Sequence, residues 1–220
     1  MDEKINPKTR MDEKRDLPPI LRKILAADVA LTKRFVSFML NFVPMRSLKT
    51  HCRMLEISCH GILILVLWFI LTWMIDNPDL YEMQINLLIG LLIDIVLVAC
   101  IKAATRRRRP TLNDDPFSIG PDKFSFPSGH ASRAVMMATF FTVLSPLSVI
   151  FWPPLIAWAV SVCISRLLIY RHHILDVSVG ALLGLFEAAV LSIVWCDAET
   201  SLWIMKWISD DKYVEGQTGI

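Results

Sequence analysis

The feature that most constrains this chain is a series of apolar runs long enough to cross a bilayer, with clusters of charge lodged between them. A hydrocarbon core about 30 Å thick requires about 20 mainly apolar residues in a helix. Only helices and closed barrels satisfy their own backbone groups there. Five runs meet or nearly meet that length: residues 55–75, 83–101, 131–147, 149–168 and 175–195. Hydrophobic residues make up 54% of 220 positions, too many for an ordinary soluble domain of this size. The expectation is an all-α fold, a polytopic transmembrane bundle of about five spans. Asp76-Asn77-Pro78 and Ser145-Pro146 supply breaker chemistry between runs. Pro153 and Pro154 should kink the fourth run or delay its start.

The flanks differ in character. Residues 1–17 are charged and without periodicity, as in a disordered tail. Nothing there has the apolar core of a cleavable signal peptide. Residues 18–54 carry Leu21, Ile24, Leu25, Val29, Phe35, Phe38, Met39 and Phe42, interrupted by Arg22, Lys23, Asp28, Lys33 and Arg34. That pattern suits an amphipathic helix and linker at the interface, with a tilted first span as the alternative. Residues 55–197 would then form the transmembrane domain and 198–220 a C-terminal tail. Trp68, Trp73, Trp152, Trp195, Trp203 and Trp207 fall near run ends, where an aromatic belt belongs. The five cysteines show no CxxC spacing and an odd count, so no disulfide framework is expected.

Three polar clusters border the spans: KAATRRRRP (102–110), FPSGHASR (126–133) and SRLLIYRHHILD (165–176). Ionisable groups at the edge of hydrocarbon mark a functional site by default. The first cluster follows run two, the second precedes run three, and the third joins runs four and five. With five spans, all three fall on one membrane face, as a single site requires.

Each cluster alone has a structural explanation. Lys102 and Arg106 to Arg109 could be a positive anchor or a patch for acidic headgroups. Ser128 and Gly129 could simply cap a helix, although their backbone N–H groups also suit an anion, with His130 projecting from the first turn. His172 and Asp176, four apart, share a helix face, so the carboxylate could accept from one ring nitrogen and present the other as nucleophile or base. The same pair could be an interfacial cap, and His173 is a second candidate on a different face. Arg166 adds a separate guanidinium. Asp94 and Glu187, inside spans, read as structural partners of hydroxyls or cations. Arg133 would lie at the site's edge or snorkel. Asp114-Asp115 reads as a solvated loop pair and not as a metal site.

Taken together the blocks resemble the signature of the type 2 phosphatidic acid phosphatase (PAP2) superfamily. Lys102, Arg109 and Pro110 match the first block, Pro127 to His130 the second, and Ser165, Arg166, His172 and Asp176 the third. The resemblance covers about residues 55–195. ILAADVALTKR, LEISCHG, LLIDIVLVACIKAATRRRRP and FSFPSGHASR further resemble its polyisoprenoid diphosphate phosphatase branch.

What the resemblance implies is a bundle of the PAP2/haloperoxidase type and a phosphohistidine mechanism. His172 would attack, Asp176 would orient it, and His130 would serve as acid and then base. Lys102, Arg109, Arg166, Ser128 and Gly129 would bind the phosphate, with no metal and no cofactor required. The implied substrate is a lipid phosphate or diphosphate in a membrane, not a nucleic acid. The implied location is the endoplasmic reticulum or nuclear envelope. The basic N-terminal region puts the site on the cytosolic side if residues 18–43 do not cross.

Overall fold

The structure is a computed structural model that describes residues 18–42, 45–110 and 123–208. The described chain is almost wholly helical: α1 (Pro19–Leu40), α2 (Met45–Ser58), α3 (Gly61–Met74), α4 (Pro78–Thr105), α5 (Gly129–Thr139), α6 (Trp152–Leu168), α7 (Ile174–Ile193) and α8 (Ala198–Ile208). The charged N-terminal tail and the Asp114-Asp115 loop expected from the sequence lie outside the described residues.

Local chemistry sets several boundaries. The Asn77 side chain accepts the Asp79 N–H at 3.1 Å and Pro78 follows in the first turn, which starts α4. Arg106 adopts φ 50°, the left-handed cap that ends it. Pro153 and Pro154 sit in the first turn of α6, where missing N–H groups cost nothing, so they do not kink it.

Three helices (Pro78–Thr105, Val149–Leu168 and Ile174–Ile193, the second including a short 3₁₀ turn) are long and apolar enough to cross, or four counting the α2–α3 pair. The expected first span, 55–75, is a broken one: α2 and α3 meet at a 51° bend around Cys59-His60. A backbone carbonyl at the bend is met from α5, since Arg133 Nη1 donates to the Cys59 carbonyl at 3.0 Å. The expected third span is α5 followed by a π-helical turn, Phe140–Leu144. Span parity therefore no longer locates the three clusters. Direct contacts do.

Outward faces carry Leu63, Val66, Phe69, Val96, Ile156, Leu182, Leu185 and Phe186, all exposed, as suits contact with lipid tails. The centre is α5 packed on α7. Gly180 and Gly184 form a small-residue stripe on α7. A Cβ on Gly180 would stand 2.5 Å from the Ser128 carbonyl oxygen, and one on Gly184 would collide with that of Ser132. Close backbone approach through such stripes is the usual route to helix pairing where lipid removes the hydrophobic drive.

Two flanking segments differ from expectation. Residues 198–208, assigned from sequence to a tail, form α8, and Met205 packs with Tyr81 and Ile85 of α4. α1 is amphipathic in an inverted sense. Ile20, Ile24, Leu31 and Phe38 are exposed, whereas Asp28, Thr32 and Val36 are buried against the bundle. Its inward face meets the polar N-terminus of α7, which explains the inversion.

Candidate active site

The site is assembled where α4 ends, α5 begins and α6 turns into α7. Lys102 lies in the last turn of α4 and is buried. Ser128 and Gly129 open α5, and the Ser128 N–H donates to the Asp176 carbonyl at 3.0 Å, tying the second block to the third. Arg166 ends α6 and is 1% exposed. Its carbonyl receives the N–H groups of Arg171 and His172 at 3.1 and 3.2 Å, folding the loop back over the helix end.

His172 lies in that loop and not on a helix, since α7 is capped at His173 and starts at Ile174. The shared-face geometry expected from the four-residue spacing is therefore absent. His172 Nδ1 is 4.0 Å from Asp176 Oδ2, too far for a hydrogen bond. Instead Nδ1 lies 2.7 Å from the Ser125 carbonyl oxygen. A carbonyl only accepts, so the proton sits on Nδ1 and Nε2 keeps the lone pair. Burial first, then the charges of Arg109, Lys102 and Arg166, depress the His172 pKa well below its ordinary 6.5. The imidazole is thus neutral at physiological pH, the state a nucleophile needs.

Asp176 has other partners. It accepts the His173 N–H at 2.8 Å and the His173 ring at 3.2 Å, and it pairs with Arg107 Nη1 at 2.6 Å. The two adjacent histidines are separated by surroundings: His173 caps α7, whereas His172 faces the cations.

His130 stands in the first turn of α5, within electrostatic range of His172, Lys102 and Arg166. Its Nε2 and the Ser128 Oγ are buried and find no hydrogen-bond partner among the described residues. Buried polar atoms in folded proteins are almost always paired, so two orphans beside a cluster of cations outline a place for an oxygen-rich anion. The chemistry available there is nucleophilic attack by an imidazole with cationic stabilisation of developing negative charge.

Other polar residues settle into structural roles. Arg133 is 5% exposed and does not snorkel; it pairs with Asp94 across α4 and α5. Glu187 accepts from the Ser132 hydroxyl at 2.9 Å.

The sequence reading missed five contributors. Ser125 acts through its carbonyl, which no side-chain pattern reveals. Arg107 is one of four consecutive arginines, and only the turn after α4 distinguishes it. Glu56 pairs with Arg166 Nη1 at 2.9 Å. His60, at the broken span, has its ring 6.4 Å from that of His130. Asp28 pairs with Arg107 at 2.6 Å. The last three sit in the segments quoted above as LEISCHG and ILAADVALTKR, but nothing in those strings shows what they touch.

Fold and site together define a polytopic helical membrane protein with histidines and cations gathered at one end of its helices. The chain belongs to the PAP2 superfamily, which it matches over residues 84–199. The probable lipid phosphate phosphatase beta of Arabidopsis thaliana is 34% identical over 139 residues, covering 51% of this chain; the chain spans 65% of that relative's length. Among solved structures, LpxE of Aquifex aeolicus is similar in fold, with a TM-score of 0.56 at 20% identity, covering 75% of this chain and 96% of that one. A transmembrane PAP2-type phosphatidylglycerolphosphate phosphatase of Bacillus subtilis gives 0.57 at 22% identity, covering 78% and 86%. The superfamily match leaves α1, α2 and α3 outside.

Proposed function

We propose that the protein is an integral-membrane lipid phosphatase that hydrolyses polyisoprenoid diphosphates of the presqualene or farnesyl type. The observation that carries the reaction class is the neutral, carbonyl-held His172 facing Lys102, Arg109 and Arg166. Nε2 of His172 attacks phosphorus, forming the N–P bond as the bond to the leaving oxygen breaks, and His130, protonated as the anionic phosphate binds beside it, supplies that oxygen's proton. His130 then takes a proton from water, whose oxygen attacks the phosphohistidine and frees phosphate and neutral His172. Lys102, Arg109, Arg166 and the Ser128-Gly129 turn hold the non-reacting oxygens, most strongly as charge builds in the transition state. Asp176 supports the site through Arg107 and the cap of α7, and does not hydrogen-bond the nucleophile. The reaction runs without a divalent metal.

The isoprenoid tail rests on the branch resemblance. A lipid monophosphate such as phosphatidate is the second reading, favoured by the name of the Arabidopsis relative. The location is the endoplasmic reticulum or nuclear envelope. A cytosolic site is supported by the exposed basic residues Arg22, Lys23, Lys33 and Arg34 of α1, a helix that reaches the site through Asp28 and Thr32. Protease access to a tag within residues 111–122, in sealed microsomes, tests that orientation.

The test of function is phosphate release by the purified protein from farnesyl diphosphate, presqualene diphosphate and phosphatidate, with His172→Ala as control. Turnover that persists in His172→Ala overturns the mechanism. Turnover lost in chelator and regained only with Mg²⁺ overturns metal independence. A clear preference for phosphatidate replaces the first substrate reading with the second.

A further inference from the structure

We propose that Asp28, on α1 and outside the superfamily match, is a positioning residue for His172 that acts through Arg107; the proposal rests on His172 being the nucleophile, as in the functional reading above. α1 touches the site at two polar side chains. Asp28 Oδ2 pairs with Arg107 Nη2 at 2.6 Å, while its Oδ1 accepts the Leu175 N–H at 3.0 Å. One turn on, Thr32 Oγ1 accepts the Ile174 N–H at 3.0 Å and donates to the Asp28 carbonyl at 2.8 Å. The first N–H groups of a helix have no partner within it. Two of those on α7 are therefore capped from a different helix, directly after the loop that bears His172.

Arg107 relays this contact in two directions. Its Nη1 pairs with Asp176 Oδ1 at 2.6 Å, so one guanidinium is stretched between a carboxylate of α1 and a carboxylate of α7. Its carbonyl accepts the Ser125 N–H at 2.8 Å and also the Ser125 hydroxyl at 3.3 Å. The Ser125 carbonyl in turn holds the His172 Nδ1 proton. The path from Asp28 to the nucleophile is thus one ion pair, two intervening residues (Arg107 and Ser125) and two hydrogen bonds. A guanidinium whose two terminal nitrogens each hold a different carboxylate is geometrically fixed. Without Asp28 it is held from one side only and follows Asp176, and the Ser125 carbonyl that sets the His172 tautomer moves with it. The buried location of Asp28, 8% exposed on the face of α1 that meets the bundle, fits such a role.

Asp28→Asn tests this, because it removes the charge and retains an oxygen for the Leu175 N–H. The full-length protein in detergent micelles is assayed for phosphate release from a lipid diphosphate, with thermal unfolding followed in parallel. Loss of a charged hydrogen bond that acts on the reacting geometry should lower kcat by about 10- to 100-fold and leave KM within about twofold. Asp28→Glu should restore part of kcat. Arg107→Lys, which keeps the charge but loses the rigid planar fork that reaches each carboxylate with a separate nitrogen, should reproduce the loss even if Asp28→Asn proves hard to purify. If Asp28 works through Arg107, the double variant Asp28→Asn/Arg107→Lys should be no slower than the worse single variant, within about twofold.

The proposal is overturned by an unchanged kcat in Asp28→Asn, by a change confined to KM, by a lowered unfolding temperature with normal kcat, or by losses that multiply in the double variant. His172→Ala separates this from the functional reading: activity surviving in His172→Ala sinks that reading, whereas a dead His172→Ala beside a fully active Asp28→Asn sinks only the role of Asp28.

Discussion

Gly184 offers the sharpest link between packing and catalysis. A methyl group at this position would collide with the Ser132 carbonyl oxygen and stand 2.9 Å from the Met136 backbone nitrogen. Both neighbours are backbone in the middle of α5, so no rotamer change relieves the contact. To reach ordinary van der Waals separation, α5 must retreat from α7 by on the order of 1 Å. That retreat carries Ser128, Gly129 and His130 away from His172 and strains the Ser128 N–H to Asp176 carbonyl bond that joins the two helices at the site. Overpacking of this kind costs about 1–3 kcal/mol of stability, and a misplacement of about 1 Å at reacting groups costs about 100-fold in rate. Gly184→Ala should therefore lower kcat by about 100-fold while the protein still folds. Gly180→Ala should act in the same direction, its Cβ meeting the Ser128 carbonyl at 2.5 Å. The assay is phosphate release by purified protein, paired with thermal unfolding in detergent. Gly184→Ala turning over within about twofold of the wild type would falsify the view that this approach sets the catalytic geometry.

Three further outcomes rest on the same structure. His172 must be neutral to attack, and its pKa lies below the ordinary 6.5, so kcat/KM should show an acid limb, falling as pH drops through a value below 6.5. Arg109→Gln should shift the limb upward, because the largest charge lowering that pKa is removed; a limb that stays put contradicts the assignment. Asp94→Asn should destabilise the fold by about 3–5 kcal/mol, since it leaves Arg133 buried without its counter-charge. Unfolding in graded denaturant measures this, and a loss under about 1 kcal/mol would show the pair to be dispensable.

Much of the site was legible in the string because its chemistry depends on residue type. Lys102, His130, Arg166 and His172 need particular functional groups, and those groups stand out against hydrocarbon. The apolar runs announced a helical membrane bundle for the same reason. The four-residue spacing of His172 and Asp176 suggests a shared helix face, but His172 lies just before α7 and turns to Ser125 instead. The first span read as continuous because its hydropathy is continuous; the bend at Cys59-His60 is stabilised by Arg133, distant in sequence.

The sequence by itself determined the class of fold and the chemical inventory of the site, because hydrophobic length and side-chain type are local properties. Tertiary structure decided which member of RRRR is bound into the site's framework, which atom fixes the His172 proton, and that α1 reaches the catalytic loop at all. Those outcomes depend on backbone carbonyls and on helices brought together across the bundle, and neither is written into the order of the side chains.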